Sequence, residues 1–203
     1  MNRVKFIYFD IGNVMADTND YFKGATTKFN IPLSDFTQFW DGGNGADDMT
    51  RGKITAQEFW QDAVRKFNIE NAGDFDFLES WLSDYKPILE THELARKLSK
   101  QYKIGLISNL YPGMITKLFN RGLVADLKYS AVILSCETGF RKPEKEIYQI
   151  ATEKAAVRPE DIFFIDDRID FIEGANKFGW HTFRFDDSKI LSTINRLEKL
   201  LLE

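Results

Sequence analysis

The sequence predicts an α/β fold, in which a Rossmann-like, doubly wound parallel sheet carries an inserted, all-helical segment. Three observations lead to this prediction: short apolar runs without polar alternation, helical patterns between those runs, and one long stretch of helical patterns without a strand. Of the 203 residues, 43% are hydrophobic and 29% are charged, as is ordinary for a globular protein with a sizeable core.

Five apolar runs predict the strands of the sheet. They are rich in Ile, Val, Phe or Leu and lack the polar alternation of half-exposed strands, as expected for parallel strands that are covered on both faces. The runs lie at residues 4–9, 103–107, 131–134, 161–165 and 181–185. Helical patterns precede the second to the fifth run, and another closes the chain at residues 190–201. This alternation implies right-handed crossovers and helices on both faces.

Residues 16–85 interrupt the alternation. They contain no convincing strand and instead show successive helical stripes that include Phe36, Trp60 and Trp81, so they are predicted to form an all-helical insertion after the first strand. Within this insertion, residues 41–52 (DGGNGADDMTRG) are polar and rich in glycine. Such a stretch predicts a long mobile loop, of the kind that often serves as a lid or a binding loop.

Charge and composition argue against several classes of function. The chain has 27 basic and 31 acidic residues and a net charge of −4, whereas a nucleic-acid partner would require a basic face. One cysteine, Cys136, excludes an internal disulfide, and with no recognisable signal peptide it predicts a cytoplasmic protein. No apolar stretch approaches the ~20 residues of a membrane-spanning helix, so no membrane partner is expected. His92 and His181 stand apart from the acidic clusters, which argues against a histidine zinc site and a Ser-His-Asp triad.

Polar residues follow the predicted strands at the ends where an open parallel sheet binds its ligands. They are Asp10, Gly12 and Asn13 after the first strand, Ser108 and Asn109 after the second, Arg141 and Lys142 beyond the third, and Asp166 and Asp167 after the fourth. Carboxylates, a hydroxyl, an amide and an ammonium group therefore converge on one edge. This set suits a phosphate monoester together with Mg²⁺, which prefers oxygen ligands that Asp10 and Asp167 could supply.

Four short motifs carry these residues in a fixed order: FDIGNV at 9–14, LISN at 106–109, GFRKP at 139–143 and FIDD at 164–167. Together they resemble the motifs of the haloacid dehalogenase-like hydrolase superfamily, and the insertion after the first motif resembles the cap of its first cap class. The resemblance implies a catalytic core at residues 1–15 and 86–203 and a helical cap at 16–85. Within the superfamily, the chain is most similar to bacterial sugar-phosphate phosphatases of the alpha-glucose-1-phosphate type.

The resemblance implies that the substrate is a small phosphorylated metabolite and that Asp10 is the nucleophile, which forms an aspartyl-phosphate intermediate. Mg²⁺ would be bound by Asp10, the backbone carbonyl of Gly12 and Asp167. Asp166 would be an additional or indirect ligand.

The resemblance also implies three phosphate-binding residues. Ser108 would donate its hydroxyl to a phosphoryl oxygen, and the backbone N–H of Asn109, at the start of the next helix, would add a second donor. Lys142 would neutralise the transferring phosphoryl group and hold Asp10 in place.

Position 12 departs from the family's pattern. Most phosphatases of the superfamily have a second aspartate there, which protonates the leaving group, and acid–base help of that kind is typically worth ~10²–10⁴-fold in rate. With Gly12 in its place, Asp17 at the root of the insertion is the nearest carboxylate in sequence and a candidate substitute. Arg51 is a candidate substrate contact, with an exposed loop arginine as the plainer interpretation. Trp40, Trp60 and Trp81 are candidates for stacking on a sugar, although such stripes more often form a core.

Three functions remain open from the sequence. The main prediction is a Mg²⁺-dependent phosphatase that acts on a sugar phosphate. A metal-independent 2-haloacid dehalogenase would also use an aspartate nucleophile without a second aspartate, but the acidic pair at 166–167 argues against it. The third alternative, prompted by Gly12, is a phospho-ligand-binding or regulatory protein without turnover.

Overall fold

The computed structural model describes residues 4–19, 21–42 and 45–203, and it has the predicted α/β architecture. The strands are β1 (Phe6–Phe9), β2 (Ala16–Asp17), β3 (Lys86–Pro87), β4 (Lys103–Ser108), β5 (Ala131–Leu134), β6 (Ile162–Asp166) and β7 (His181–Arg184). The α-helices are α1 (Lys23–Lys28), α2 (Leu33–Gly42), α3 (Gly45–Thr50), α4 (Ala56–Lys66), α5 (Phe77–Leu82), α6 (Leu89–Leu98), α7 (Met114–Asn120), α8 (Ser135–Thr138), α9 (Lys145–Ala155), α10 (Ile169–Lys177) and α11 (Ile190–Leu202). Among these residues, no helix is long and apolar enough to cross a membrane.

The main sheet has five parallel strands in the order β5-β4-β1-β6-β7. The central strand β1 is fully buried, and its side chains alternate between two apolar clusters, one on each face of the sheet. Helices α6 and α11 pack on one face, while α9 and α10 pack on the other. Phe9 pairs with Leu106 of β4 and with Ile165 of β6, so the three central strands end at the same edge. This register brings the residues that follow these strands together.

The insertion, residues 16–85, leaves and rejoins the sheet at one place. Ala16 of β2 pairs with Pro87 of β3, and Asp17 pairs with Lys86, which gives a two-stranded antiparallel link. The sequence did not predict β2, because two residues are too few to show a period of two. Helices α1 to α5 lie between the two strands of the link.

Aromatic side chains form the core of the insertion. The ring of Phe22 contacts those of Phe36, Trp40 and Trp81, with centroids 4.9, 5.2 and 4.7 Å away. Trp60 stacks on Phe77 with ring centroids 5.2 Å apart and is 1% exposed. Because its ring is enclosed by other rings, Trp60 belongs to this core and is not a surface for stacking on a sugar.

The prediction of a long mobile loop at residues 41–52 was wrong. α2 extends to Gly42 and α3 begins at Gly45, while Gly43 and Asn44 lie outside the described residues. At Gly45, a Cβ atom would lie 2.5 Å from the ring of Phe59, so glycine is required there for close packing. At Gly52, where φ is +72°, a Cβ atom would lie 2.0 Å from the carbonyl oxygen of Cys136 in α8. These two glycines allow close packing of helices rather than a flexible loop.

Candidate active site

Three carboxylates meet where the central strands end. Asp10 directly follows β1, is 6% exposed, and donates its backbone N–H to the carbonyl of Ile165 at 3.0 Å. One carboxylate oxygen each from Asp10, Asp166 and Asp167 lies within 4.8 Å of the other two. These three residues were predicted from strand ends alone, and the register of β1 with β6 brings them together.

Lys142 is the cation of this cluster. Its Nζ lies 2.9 Å from Asp10 Oδ1 and 2.6 Å from Asp166 Oδ2, and its side chain is fully buried. Burial by itself would lower the pKa of Lys142, but the charges of Asp10 and Asp166 outweigh it and hold that pKa above its ordinary value. The ammonium group therefore stays charged. It places one positive charge beside the carboxyl groups of Asp10, Asp166 and Asp167.

The electrostatics of the cluster fit a divalent metal ion. Burial raises the pKa of Asp166, against the opposing charge of Lys142, and Asp10 adds to the rise. The pKa of Asp167 is also raised, first by burial and then by Asp10. Both shifts arise because negative charge is crowded into a buried place. An all-oxygen donor set with excess negative charge suits Mg²⁺.

Asn13 connects this cluster to the root of the insertion. Its backbone has a φ of +53°, a conformation in which Asn is common. Its side-chain Nδ2 donates to Asp167 Oδ2 at 3.3 Å, while Oδ1 accepts from the backbone N–H and the hydroxyl of Thr18 at 3.1 and 2.9 Å. Gly12 and Asn13 both line a cavity at this edge of the sheet.

Ser108 and Asn109 follow β4, as predicted, and both line the cavity. The prediction that Asn109 begins a helix was wrong, since α7 starts only at Met114. Instead, the Asn109 side chain binds the main chain of Lys142: Nδ2 donates to its carbonyl at 3.0 Å, and Oδ1 accepts from its N–H at 2.8 Å. Asn109 thus fixes the backbone from which the Lys142 ammonium group reaches Asp10.

A cavity of about 430 Å³ lies between the sheet edge and the insertion. Its floor contains the motif residues described above. The insertion contributes Thr18, Tyr21, Trp40, Asp41, Ala46, Thr50, Trp81 and Tyr85 to its wall, and α7 with the segment that leads into it contributes Leu110, Tyr111, Met114 and Leu118. Trp40 and Trp81 thus border the cavity, although both are largely buried in the aromatic core. The wall offers ring surfaces and hydroxyl groups to a bound molecule.

Asp17 and Arg51 do not line this cavity. Asp17 is exposed, and its Oδ1 accepts from the backbone N–H and the side-chain amide of Asn19, at 3.0 and 2.8 Å. Arg51 is bound by Asp47 and by Glu144. Neither Asp17 as a proton donor nor Arg51 as a substrate contact therefore borders the space in which a substrate would bind.

Asp41, at the end of α2, is a cavity residue that sequence reasoning missed. The other additional carboxylate of the lining, Asp170, is ion-paired with Arg168 at 2.7 Å, which keeps the pKa of Asp170 below its ordinary value. No sequence signal pointed to Asp41, because it lies in the segment that composition assigned to a loop.

Comparison with known proteins gives a consistent set of relatives. The family model for haloacid dehalogenase-like hydrolases matches residues 4–179. D-ribitol-5-phosphate phosphatase of Bacteroides thetaiotaomicron is 24% identical over 194 residues, 89% of this chain and 91% of its own length. (S)-2-haloacid dehalogenase 4A of Burkholderia cepacia is 26% identical over 140 residues, 64% of this chain and 59% of its own length.

The fold has a close counterpart among solved structures. A HAD family enzyme of Bacteroides thetaiotaomicron, solved in complex with magnesium and inorganic phosphate, superposes with a TM-score of 0.73 at 22% identity. The similarity covers 91% of this chain and 95% of that enzyme, so it includes the sheet and the insertion.

Proposed function

The chain belongs to the haloacid dehalogenase-like hydrolase family, and on this premise we propose that it is a Mg²⁺-dependent phosphatase of small phosphate monoesters, with sugar phosphates favoured. The observation that carries the proposal is the buried group of Asp10, Asp166 and Asp167 around the ammonium group of Lys142. Crowded carboxylates with one cation suit a site that binds a metal ion and a phosphate together.

Asp10 is the proposed nucleophile. A carboxylate oxygen of Asp10 attacks the phosphorus atom, the bond between phosphorus and the ester oxygen breaks, and the leaving oxygen takes a proton from solvent water. Water then attacks the phosphorus of the aspartyl-phosphate, which releases inorganic phosphate and restores the Asp10 carboxylate. When bound, Mg²⁺ supplies charge neutralisation between the carboxylate and the phosphate dianion. Asp10, Asp166, Asp167 and the Gly12 carbonyl would hold it.

Ser108 and Lys142 are the proposed phosphate ligands. The Ser108 hydroxyl borders the cavity beside Asp10 and can donate to a phosphoryl oxygen. The Lys142 ammonium group, 2.9 Å from Asp10 Oδ1, lies where negative charge develops during transfer. Asn109 supports it by fixing the Lys142 main chain rather than by a helix-start N–H.

The cavity wall favours a sugar phosphate as substrate. The aromatic residues Trp40 and Trp81 and the hydroxyl-bearing residues Tyr21, Tyr85 and Thr50 line the cavity. Such walls suit a molecule with apolar C–H faces and several hydroxyls. D-ribitol-5-phosphate phosphatase, the relative that matches over most of both chains, is named for a polyol phosphate of this kind. Because position 12 is glycine, we favour an ester whose leaving group departs easily, such as an anomeric phosphate.

We also propose the division of the chain into a catalytic core, residues 1–15 and 86–203, and a cap, residues 16–85. The antiparallel link of β2 with β3 supports it, because the chain enters residues 16–85 and leaves them again through this one pair of adjacent strands. Closure of such a cap would exclude water from the cavity and select the substrate.

A 2-haloacid dehalogenase is the second candidate function. Gly12 and the relative named (S)-2-haloacid dehalogenase 4A favour it. A buried Asp166 and a half-buried Asp167 beside Asp10 disfavour it, because an enzyme that works without a metal ion gains nothing from that crowded charge. A phospho-ligand-binding protein without turnover is the third candidate, on account of Gly12.

A substrate panel tests the proposal. Sugar, polyol and aryl phosphates and 2-haloacids are incubated with the protein in Mg²⁺ or in EDTA, and release of phosphate or halide is measured. We expect phosphate release that requires Mg²⁺ and is abolished in Asp10→Asn but kept in Asp17→Asn, an equal charge change at an exposed position. Halide release in EDTA would establish the dehalogenase. Phosphate binding without turnover of any compound would favour the third candidate.

A further inference from the structure

We infer that Arg51 is a positioning residue, which holds the loop that carries Lys142 in place when the insertion is docked on the sheet. The inference rests on the phosphatase proposed above, because Lys142 is its phosphate ligand. We call residues 139–144 the lysine loop. Arg51 itself follows α3 of the insertion and has no contact with the cavity.

One guanidinium group binds both ends of the lysine loop. Arg51 Nη1 donates to the carbonyl of Gly139 at 3.0 Å and to Glu144 Oε2 at 3.1 Å, and Nη2 lies 2.5 Å from Glu144 Oε1. Lys142 lies between these two anchor points in sequence. A bidentate pair of this kind fixes direction as well as distance, because the guanidinium fork and the carboxylate are both planar.

Two further residues close a ring of alternating charge. Asp47 of α3 accepts from Arg51 Nε at 2.9 Å and lies 3.1 Å from Arg141 Nη1. Glu144 Oε2 also accepts the backbone N–H of Arg141 at 3.1 Å. The insertion thus supplies Asp47 and Arg51, and the lysine loop supplies Arg141 and Glu144. The four side chains carry two negative and two positive charges, and the link from Glu144 back to Arg141 is a backbone hydrogen bond rather than an ion pair.

The backbone next to Arg51 packs closely against α8. Gly52 has a φ of +72°, and a Cβ atom there would lie 2.0 Å from the carbonyl oxygen of Cys136. Only glycine permits this approach. The close contact places Arg51 opposite the lysine loop whenever α3 is docked, and its side chain is then 23% exposed.

The lysine loop is therefore fixed from two sides. Asn109 binds the main chain of Lys142 on the cavity side, and Arg51 binds Gly139 and Glu144 from the insertion. Lys142 Nζ must meet two carboxylates at 2.9 and 2.6 Å, so a small displacement of the loop would weaken both contacts. Displacements of about 1 Å in a catalytic group can cost on the order of 10²-fold in rate. Docking of the insertion therefore helps to keep the Lys142 ammonium group in contact with Asp10 and Asp166.

Arg51→Ala is the test variant, and two arginine variants are its controls. Arg65→Ala makes the same charge change on α4, where Arg65 contacts Asp62 of its own helix. Arg121→Ala removes a different contact between insertion and core, in which α7 binds Glu79 and the carbonyl of Leu82. The second control separates the lysine loop from docking in general.

Steady-state kinetics give the first readout. We expect kcat of Arg51→Ala to fall about tenfold or more while KM changes by about twofold or less, because Lys142 acts mainly on the charge that develops during transfer, whereas Ser108 and the cavity wall still bind the substrate. Arg51→Lys should recover part of kcat. The double variant Arg51→Ala/Glu144→Ala should lose less than the two single variants combined, since the two residues share one contact, although Glu144 also binds the Arg141 N–H. An unchanged kcat in Arg51→Ala, or an equal loss in Arg121→Ala, would overturn the positioning role.

Amide hydrogen exchange of the whole protein gives a readout that does not depend on turnover. Exchange in the peptide that covers residues 139–144 should be faster in Arg51→Ala and unchanged in Arg65→Ala and Arg121→Ala. Unchanged exchange in Arg51→Ala would overturn the inference. A wild-type protein with no phosphatase activity would overturn the proposed function, and the exchange result would still decide whether Arg51 holds the loop.

Discussion

At position 12 the structure leaves room for a larger side chain. A Cβ atom on Gly12 would lie 3.7 Å from the Thr18 hydroxyl, an ordinary van der Waals distance. Space therefore does not explain the missing aspartate. The consequence is chemical: the leaving oxygen must obtain its proton from another source or depart with little help.

Gly12→Asp should restore that proton donor. We expect turnover of alkyl phosphates, whose leaving groups are poor, to rise about tenfold or more relative to aryl phosphates, which need less protonation. Gly12→Asn is the matched control, because it fills the same space without an acid. An equal gain in Gly12→Asn, or no change in the alkyl-to-aryl ratio with Asp, would show that the missing acid does not limit the rate.

Gly45 and Gly42 offer a second comparison between single residues. A methyl group on Gly45 would collide with the Phe59 ring, whereas nothing lies within 4 Å of a Cβ atom on Gly42. Gly45→Ala should lower the free energy of unfolding by ~1–3 kcal/mol through overpacking. Gly42→Ala, in α2, should leave it unchanged or raise it by up to ~1 kcal/mol. Urea denaturation measures both, and similar values for the two variants would contradict the packing role of Gly45.

At the scale of elements, the buried strands could be predicted and the packing of the insertion could not. The five apolar runs match the strands of the main sheet to within two residues at each end. The expected cover on both faces holds for the central strand β1, whereas the edge strand β7 is exposed at His181 and Arg184. Strand ends then indicated Asp10, Ser108 and Asp166. The positions of Asp41 and Arg51 depend on how α2 and α3 dock, which involves contacts between residues far apart in sequence. Composition assigned Gly45 and Gly52 to a loop, but the need for glycine at both positions arises from close contacts with Phe59 and Cys136.

Helix α6 carries a buried histidine that should make stability depend on pH. His92 is 2% exposed, and its Nε2 lies 3.0 Å from the carbonyl of Met15, so it is assigned as the donor. Burial lowers the pKa of His92 below its ordinary value. In the unfolded chain a histidine has a pKa of about 6.5. The unfolded state therefore binds more protons between the two pKa values.

We expect the contribution of His92 to the free energy of unfolding to fall as pH drops below about 6.5 and through the lower pKa of folded His92, whereas the raised pKa values of Asp166 and Asp167 act in the opposite direction. His92→Gln, which keeps a side-chain donor, should flatten this dependence. His181→Gln, at an exposed position, should leave it as in the wild type. Thermal denaturation at several pH values between about 5 and 8 measures it. A wild-type slope in His92→Gln would assign the acid sensitivity to other groups.

For the whole molecule, the net charge of −4 and the anionic substrate of the proposed function are compatible because charge is arranged locally. Three carboxylates gather at one sheet edge, and among the residues that the structure describes the one ammonium group between them is that of Lys142. A bound divalent cation would relieve that repulsion in the folded state and find no such group in the unfolded chain. Binding of Mg²⁺ should therefore stabilise the fold.

Mg²⁺ at ten times its Kd should raise the free energy of unfolding by about 1.4 kcal/mol, and EDTA should remove the gain. Asp167→Asn should abolish the Mg²⁺ effect. Asp170→Asn is the control, because Asp170 lines the cavity but is paired with Arg168. Equal Mg²⁺ stabilisation in wild type and Asp167→Asn would place the metal ion elsewhere.

The pairing of β2 with β3 has a consequence for how such a protein can diversify. Its two strands run side by side, about 4.8 Å apart, so the chain departs from the sheet and returns to it at neighbouring points. A different segment of any length could be grafted between Asp17 and Lys86 without moving the carboxylates or the lysine. On the proposed division into core and cap, exchange of this one segment would change the residues that face the substrate while those at the sheet edge keep their places.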